Sequence, residues 1–169
     1  MKFNTEKEKL LNAVSLTSHL ATSRSTLPIL QNLYLETKKD QLLIKSTDLD
    51  QTLEVLVEGT VSEKGALTIP ARLIVEYLTN NPDSNITIES NDLDLLVQSS
   101  NHKAKIKGLS AEEYPSAPLI KSQSTVTLPP TLLRSAINKT IFASAQDETR
   151  PILNGLLWRF KDKKLTIVG

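Results

Sequence analysis

Thr26-Leu27-Pro28-Ile29-Leu30-Gln31-Asn32-Leu33 returns 123 positions later as Thr149-Arg150-Pro151-Ile152-Leu153-Asn154-Gly155-Leu156. The same offset holds outwards without a gap: Leu10 falls on Leu133, Ala13 on Ala136, Thr17 on Thr140, Lys38 on Lys161, Leu42 on Leu165 and Ile44 on Ile167. Between Met1/Ser124 and Ser46/Gly169, 11 of 46 positions are identical, where unrelated segments of ordinary composition share about 3. Apolar character matches more widely, as in Phe3/Val126, Val14/Ile137, Tyr34/Leu157 and Leu35/Trp158. A period this long marks a duplicated domain, well beyond the short units of solenoids. The expected organisation is a complete first unit over 1–120 and the start of a second over 121–169, cut short. The first is large enough for an adequate core; the second is marginal by itself, so it should dock, be poorly ordered, or be completed by further chain.

Twenty basic and nineteen acidic side chains leave a formal charge of +1, so there is no global attraction to nucleic acid. Zero cysteines exclude disulfides, thiolate catalysis and cysteine-ligated zinc. Met1-Lys2-Phe3-Asn4 leads directly into a charged segment, with no apolar run of signal-peptide or membrane-span length. The default expectation is a soluble intracellular protein.

Helical spacing of Leu10, Leu11, Ala13, Val14, Leu16 and Leu20 predicts a helix over 6–20, with Asn4 or Thr5 as N-cap. Alternation between turn signals predicts strands over 29–37, 41–46, 52–61 and 66–69. Leu73, Ile74, Tyr77 and Leu78 predict a second helix over 71–80, stopped by Asn80-Asn81-Pro82. Strands over 85–90, 93–99 and 102–109 complete the unit. The second copy should carry a helix over 130–143 and strands over 152–160 and 164–168. Links of a few residues require antiparallel pairing, and the rhythm of helix plus strands, twice, gives an α+β arrangement of two sheets sharing one helical layer.

Chemistry-bearing motifs are sparse. Asp48/Asp50 and Asp92/Asp94 could serve a metal or acid–base chemistry, but both pairs sit in turns, where Asp bonds its own backbone. His19 and His102 lie in unrelated segments, and no phosphate loop, serine elbow or HExxH is present. Arg24 and Arg150 lie in loops at equivalent ends of the two helices. Arg134 and Lys139 have no acidic neighbour in their helix. Each reads as a solvated surface charge taken alone; equivalent helices lining one surface would turn them into a phosphate-facing stripe. Leu153 reads as a core leucine at a strand entrance behind Pro151.

Met1-Lys2-Phe3, Leu27–Leu33, Ser46-Thr47-Asp48-Leu49, Ile69-Pro70-Ala71-Arg72 and Arg150–Gly155 together resemble the bacterial sliding-clamp family, the beta subunit of DNA polymerase III. The resemblance runs along the whole chain in order. It implies domains with antiparallel sheets outside and two helices inside, three to a chain, two chains closing a six-domain ring around double-stranded DNA. On this reading the third domain is expected to lie outside the present chain. It also implies a non-enzymatic, cytoplasmic processivity factor with no metal or cofactor, bound to DNA polymerase and clamp-loader subunits through short linear motifs. Carried over by position, Arg24, Arg72, Arg134, Lys139, Gln146 and Arg150 are the expected DNA contacts, and Leu153 a wall of the motif pocket. The homodimer contact is expected at Leu73, Tyr77, Lys103, Lys105, Ile106 and Lys107. Two rival readings are a metal-dependent hydrolase using Asp48 and Asp50, and a β-rich protein scaffold without a DNA role.

Overall fold

The structure is a computed structural model describing residues 1–21, 27–116, 125–145 and 150–169. It divides into two compact units, Met1–Leu119 and Ile120–Gly169.

In the first unit, β1 (Lys2–Glu6), α1 (Lys7–Ser18), β2 (Asn32–Lys38), β3 (Gln41–Thr47) and β4 (Thr52–Glu58) are followed by β5 (Thr60–Glu63) and β6 (Ala66–Pro70). Then come α2 (Ala71–Asn80), β7 (Asn85–Asn91), β8 (Asp94–Gln98) and β9 (Lys103–Lys107). The strands form a five-stranded sheet, β5-β1-β7-β8-β9, and a four-stranded sheet, β4-β3-β2-β6, with every pair antiparallel. The strand before each helix is traded: β1 pairs with β7 of the second half, and β6 with β2 of the first. Neither half can therefore close its sheet without the other.

The core lies between the sheets and the helices. Phe3, Leu10, Val14, Leu35, Ile44, Ile69, Leu78 and Val97 are all at most 2% exposed, and α1 packs beside α2. The expected layered α+β architecture is thus present, with several local corrections.

The chain does not run straight into a helix: Lys2–Glu6 is a central strand. Its alternation rests on one large apolar residue, Phe3, so the period was too short to detect. Asn4 and Thr5 do not cap α1 either. Asn4 Nδ2 donates to Thr87 Oγ1 at 2.9 Å and Thr5 Oγ1 to the Glu58 carbonyl at 2.7 Å. Glu6 is the N-cap residue without a side-chain cap bond, and Lys7 N donates to the Ser84 carbonyl at 2.7 Å instead.

The single strand expected over 52–61 breaks at Gly59, where the chain leaves one sheet for the other. A Cβ there would strike the Asn4 carbonyl and the Phe3 ring, so close backbone approach demands glycine. Pro28–Gln31 is a 3-10 turn with proline at its start, not a strand entrance. After β9, Leu109 and Thr68 exchange backbone hydrogen bonds of 2.9 and 3.0 Å, bringing the chain across to β6.

The second unit contains α3 (Pro130–Asn138), a 3-10 turn at Ile141–Ala143, another at Pro151–Asn154, and the hairpin β10 (Leu157–Lys161) and β11 (Lys164–Val168). The expected helix is therefore shorter than 130–143, and the strand expected from 152 starts at Leu157. The duplication is structural at the offset of 123. The turn Pro28–Gln31 recurs at Pro151–Asn154, and the pairing Tyr34↔Lys45 through Lys38↔Gln41 recurs as Leu157↔Val168 through Lys161↔Lys164. Thr17 Oγ1 donates to the Ala13 and Val14 carbonyls at 2.8 and 3.2 Å; Thr140 Oγ1 does so to Ala136 and Ile137 at 3.0 and 3.2 Å. None of the described residues of this unit is buried.

Candidate nucleic-acid and partner interfaces

Arg24 and Gln146 lie outside the described residues. Arg72 sits on the first turn of α2, exposed between buried Ala71 and Ile74. Arg134 is exposed on α3, Lys139 follows at its C-cap, and Arg150 is exposed before the Pro151–Asn154 turn. Among the described residues, none of these four cations has a carboxylate at ion-pair distance.

The helices of the first unit do not make a basic stripe by themselves. Lys7, Lys9 and Arg72 are balanced by Glu6, Glu8 and Glu76. Lys9 is paired with Glu6 at 3.1 Å, and Lys7 Nζ is spent on the Asn81 carbonyl at 3.0 Å. Arg72 is the remaining cation available to a phosphate.

The residues expected at a subunit contact do converge. Leu73 and Tyr77 of α2 and Lys105 and Ile106 of β9 line one open groove of 470 Å³. Lys103 and Lys107 share a face of β9 with Lys105. Leu73 is 48% exposed, Tyr77 O–H donates to the Val97 carbonyl at 3.4 Å, and Lys105 is paired with Asp94 at 2.8 Å. Because β9 ends its sheet, an apolar groove lies beside a free strand edge.

One feature of this rim was not legible as a cluster. Asp83 accepts hydrogen bonds from Ser99 Oγ (2.6 Å) and Asn101 N (3.1 Å), while His102 Nδ1 lies 3.2 Å away. Asn81 Nδ2 donates to Ser99 Oγ at 3.0 Å, and Asn81 Oδ1 accepts from Asp83 N at 2.8 Å. The bond from Ser99, then those from His102 and the Asn101 backbone, hold the Asp83 carboxyl down from 3.8 to about 2. The ring fastens the β8–β9 loop to the end of α2. Asn81-Pro82-Asp83 carried only a helix-stop signal, and the partners are distant in sequence.

In the second unit, Leu153 is 48% and Ile152 88% exposed. Together with Leu156, Leu157 and Val168 they line a cleft of 540 Å³. Leu153 is therefore a wall residue of this cleft and not a core leucine, although its repeat equivalent Leu30, in a 3-10 turn closed the same way, is buried; Leu153 N donates to the Arg150 carbonyl at 2.9 Å.

Asp48, Asp50 and Asp92 sit in turns, while Asp94 opens β8. Asp48 Oδ1 accepts from Asp50 N at 3.1 Å and Gln51 N at 2.7 Å, and Asp94 is taken by Lys105. Among the described residues, no three His, Asp or Glu side chains gather as metal ligands would, and no helix is long and apolar enough to cross a membrane.

Residues 1–118 match the family model described as DNA polymerase III beta subunit, N-terminal domain. The chain belongs to that family. Among curated relatives, it is 30% identical over 174 residues to the beta sliding clamp of Bacillus subtilis, covering 98% of this chain and 46% of the relative. It is 31% identical over 159 residues to that of Synechococcus elongatus, covering 92% and 42%. The solved beta subunit of Pseudomonas aeruginosa superposes with a TM-score of 0.88 at 29% identity, over 98% of this chain and 45% of that one. The B. subtilis sliding clamp gives 0.89 at 28% identity, over 99% and 46%. The chain thus spans about half the length of the relatives it matches.

Proposed function

We infer that this chain supplies the first domain and the opening of the second of a DNA sliding clamp, which encircles duplex DNA and tethers the replicative polymerase to it. The observation that carries this reading is the family match over 1–118 combined with the duplication at residue-for-residue offset. A ring built by repeating one unit brings equivalent helices to equivalent positions around a hole. Retention by topology needs no strong chemical grip, so a chain with a charge of +1 and charge-balanced α1 and α2 is compatible with the role.

Arg24, Arg72, Arg134, Lys139, Gln146 and Arg150 are assigned as weak, sequence-independent DNA contacts. Leu153, exposed in its cleft, is assigned to the docking of short linear motifs from polymerase and clamp-loader subunits. The groove of Leu73, Tyr77, Lys105 and Ile106, with Lys103 and Lys107 on the same strand, is assigned to the contact between subunits of a homodimer. No catalytic step is assigned to any residue.

The balanced helices are also what a DNA-free protein scaffold would show, and that is the second reading. Primer extension separates the two. In a B. subtilis clamp whose matching segment is replaced by this chain, polymerase products should lengthen, and Leu153→Ala should shorten them again. Products no longer than without clamp would favour the scaffold.

A further inference from the structure

Charge is nearly balanced over the chain but unevenly spread along it. Met1–Leu119 carries twelve basic and sixteen acidic side chains, a net −4, and Ile120–Gly169 carries eight and three, a net +5. Half of the second unit's cations gather on the β10–β11 hairpin, as Arg159, Lys161, Lys163 and Lys164, where Asp162 is the one carboxylate. Strand alternation decides which way they face. Lys161 is opposite Lys164 and Arg159 opposite Thr166, so Arg159, Lys161 and Lys164 share one face with Leu157, Thr166 and Val168. Trp158, Phe160, Leu165 and Ile167 are on the other, where the two rings lie 6.5 Å apart. The offset of 123 identifies the faces: Trp158, Leu165 and Ile167 correspond to Leu35, Leu42 and Ile44, which are at most 1% exposed in the first unit. The basic face is therefore the one turned away from the core side. Lys163 stands in the turn itself, at a φ of 59° beside Asp162 at 50°, the backbone of a type I′ hairpin.

A charged hairpin tip is ordinarily just a solvated surface. Two observations go further. At the same offset the first unit has Glu36, Lys38, Lys39, Asp40 and Gln41, which sum to zero, and Lys38 is paired with Glu36 at 3.2 Å. The second unit has Arg159, Lys161, Asp162, Lys163 and Lys164 there, a net +3. Moreover, Lys161 and Lys164 are directly opposed, and like charges in that position destabilise a strand pair. All four cations are exposed, and among the described residues none has a carboxylate at ion-pair distance. The repulsion is thus left for an anion from outside to relieve.

We propose that the outer face of the β10–β11 hairpin is a docking surface for the phosphate backbone of duplex DNA, held by Arg159, Lys161, Lys163 and Lys164. Arg159 and Lys161 stand about 7 Å apart along β10, and Lys164 about 5 Å across from Lys161. Such an open spread of cations follows a backbone and does not enclose a small anion. The face carries no aromatic ring on which unpaired bases could stack, because Trp158 and Phe160 point the other way. It therefore suits a duplex over a single strand, and phosphate contacts make it indifferent to sequence. These residues are separate from Arg134 and Lys139 of the α3 segment and from Arg150 before the Pro151–Asn154 turn. The proposal rests on reading this chain as one that acts on DNA but not on encirclement, so it is tested on short linear DNA, which holds nothing by topology.

Fluorescence anisotropy of a labelled linear duplex of about 20 base pairs, titrated with the 169-residue chain at about 50 mM salt, reads the contact directly. K161Q/K163N/K164Q, with asparagine at the position of positive φ, should weaken binding at least about tenfold and lower the slope of log affinity against log salt by about 3. K38Q/K39N/K64Q removes the same charge from the first unit and should change affinity by less than about twofold. The substituted side chains are exposed, so unchanged far-UV circular dichroism is expected; if the hairpin triple fails to fold, K163N alone carries the test, with a slope lower by about 1. Equal losses from the two triple variants would reduce the effect to net charge and overturn the proposal. So would a wild-type chain that ignores the duplex, prefers a single strand of the same length, or is displaced as readily by polyglutamate of equal charge. Encirclement by a clamp-length protein is decided separately, by comparing circular with linear DNA.

Discussion

Single residues set the local tolerances of this domain. Asp83 is acidic enough to stay ionised well below the usual carboxylate range because Ser99, His102 and the Asn101 backbone all favour its charged form. Its folded-state value, about 2, lies below the unfolded 3.8. The stabilisation is therefore complete above about pH 4 and is lost as pH falls toward 2. Asp83→Asn should flatten the acid limb of thermal stability in that window, while hydrogen exchange at Asn101 and His102 quickens at neutral pH; an unaltered acid limb would show that the ring is not energetically coupled to folding. Leu49 is a second sensitive position. It holds a φ of 82° while 60% exposed, pinned by Leu49 N donating to Thr47 Oγ1 at 3.1 Å and by the Asp48 turn. A branched, non-glycine residue in this region carries strain of about 1 kcal/mol. Leu49→Gly should recover part of it, seen as a higher denaturation midpoint, whereas a lowered midpoint would mean that the leucine packs with a gain exceeding its strain.

At the scale of elements, the two traded strands hold the domain together. Gly59 is the crossing point between sheets, and Gly59→Ala should destabilise by about 1–3 kcal/mol through overpacking against the Asn4 carbonyl and the Phe3 ring, measurable by urea unfolding. A loss under about 0.5 kcal/mol would mean that both the Asn4 backbone and the Phe3 ring yield without strain. Tyr114 closes the outer side of the four-stranded sheet, 5.5 Å from Tyr34 between ring centroids, with Lys45 Nζ 4.6 Å from the centre of the Tyr34 ring. Burial pushes its hydroxyl up to about 12 from 10.0. Its neutral form is the one the fold favours, so its contribution is intact below pH 10 and disappears as pH rises through 12. Tyr114→Phe should remove that alkaline slope; tyrosinate absorbance checks it. Most of these elements were readable in the sequence because their periodicity was long: β3, α2, β7 and β11 fall within a residue or so of expectation. Pro28–Gln31 and Pro151–Asn154 misled because proline followed by apolar residues fits a strand entrance and a 3-10 turn equally well. Lys103, Lys105 and Lys107 enter only through the resemblance; the terminal position of β9 became visible once the sheet order was known.

For the whole molecule, the proposed encirclement is what would let a nearly neutral chain act on DNA. The first unit closes its own core, while the second exposes Phe142 at 83% and Ile152 at 88% and has no buried residue among those described. What it shares with the first unit is the repeat itself: a turn, a hairpin and a helix end in the same register. Removing charge from Arg72, Arg134, Lys139 and Arg150 in a clamp-length protein should shift the salt dependence of DNA binding without abolishing retention, because each phosphate left without its cation changes the salt slope by about 1. The most direct test loads a clamp-length protein carrying this chain as its N-terminal part onto nicked circular DNA, then cuts the circle with a restriction enzyme. The protein should remain bound through gel filtration on the circle and be released once the DNA is linear. Equal loss from circle and line, or equal retention on both, would contradict encirclement.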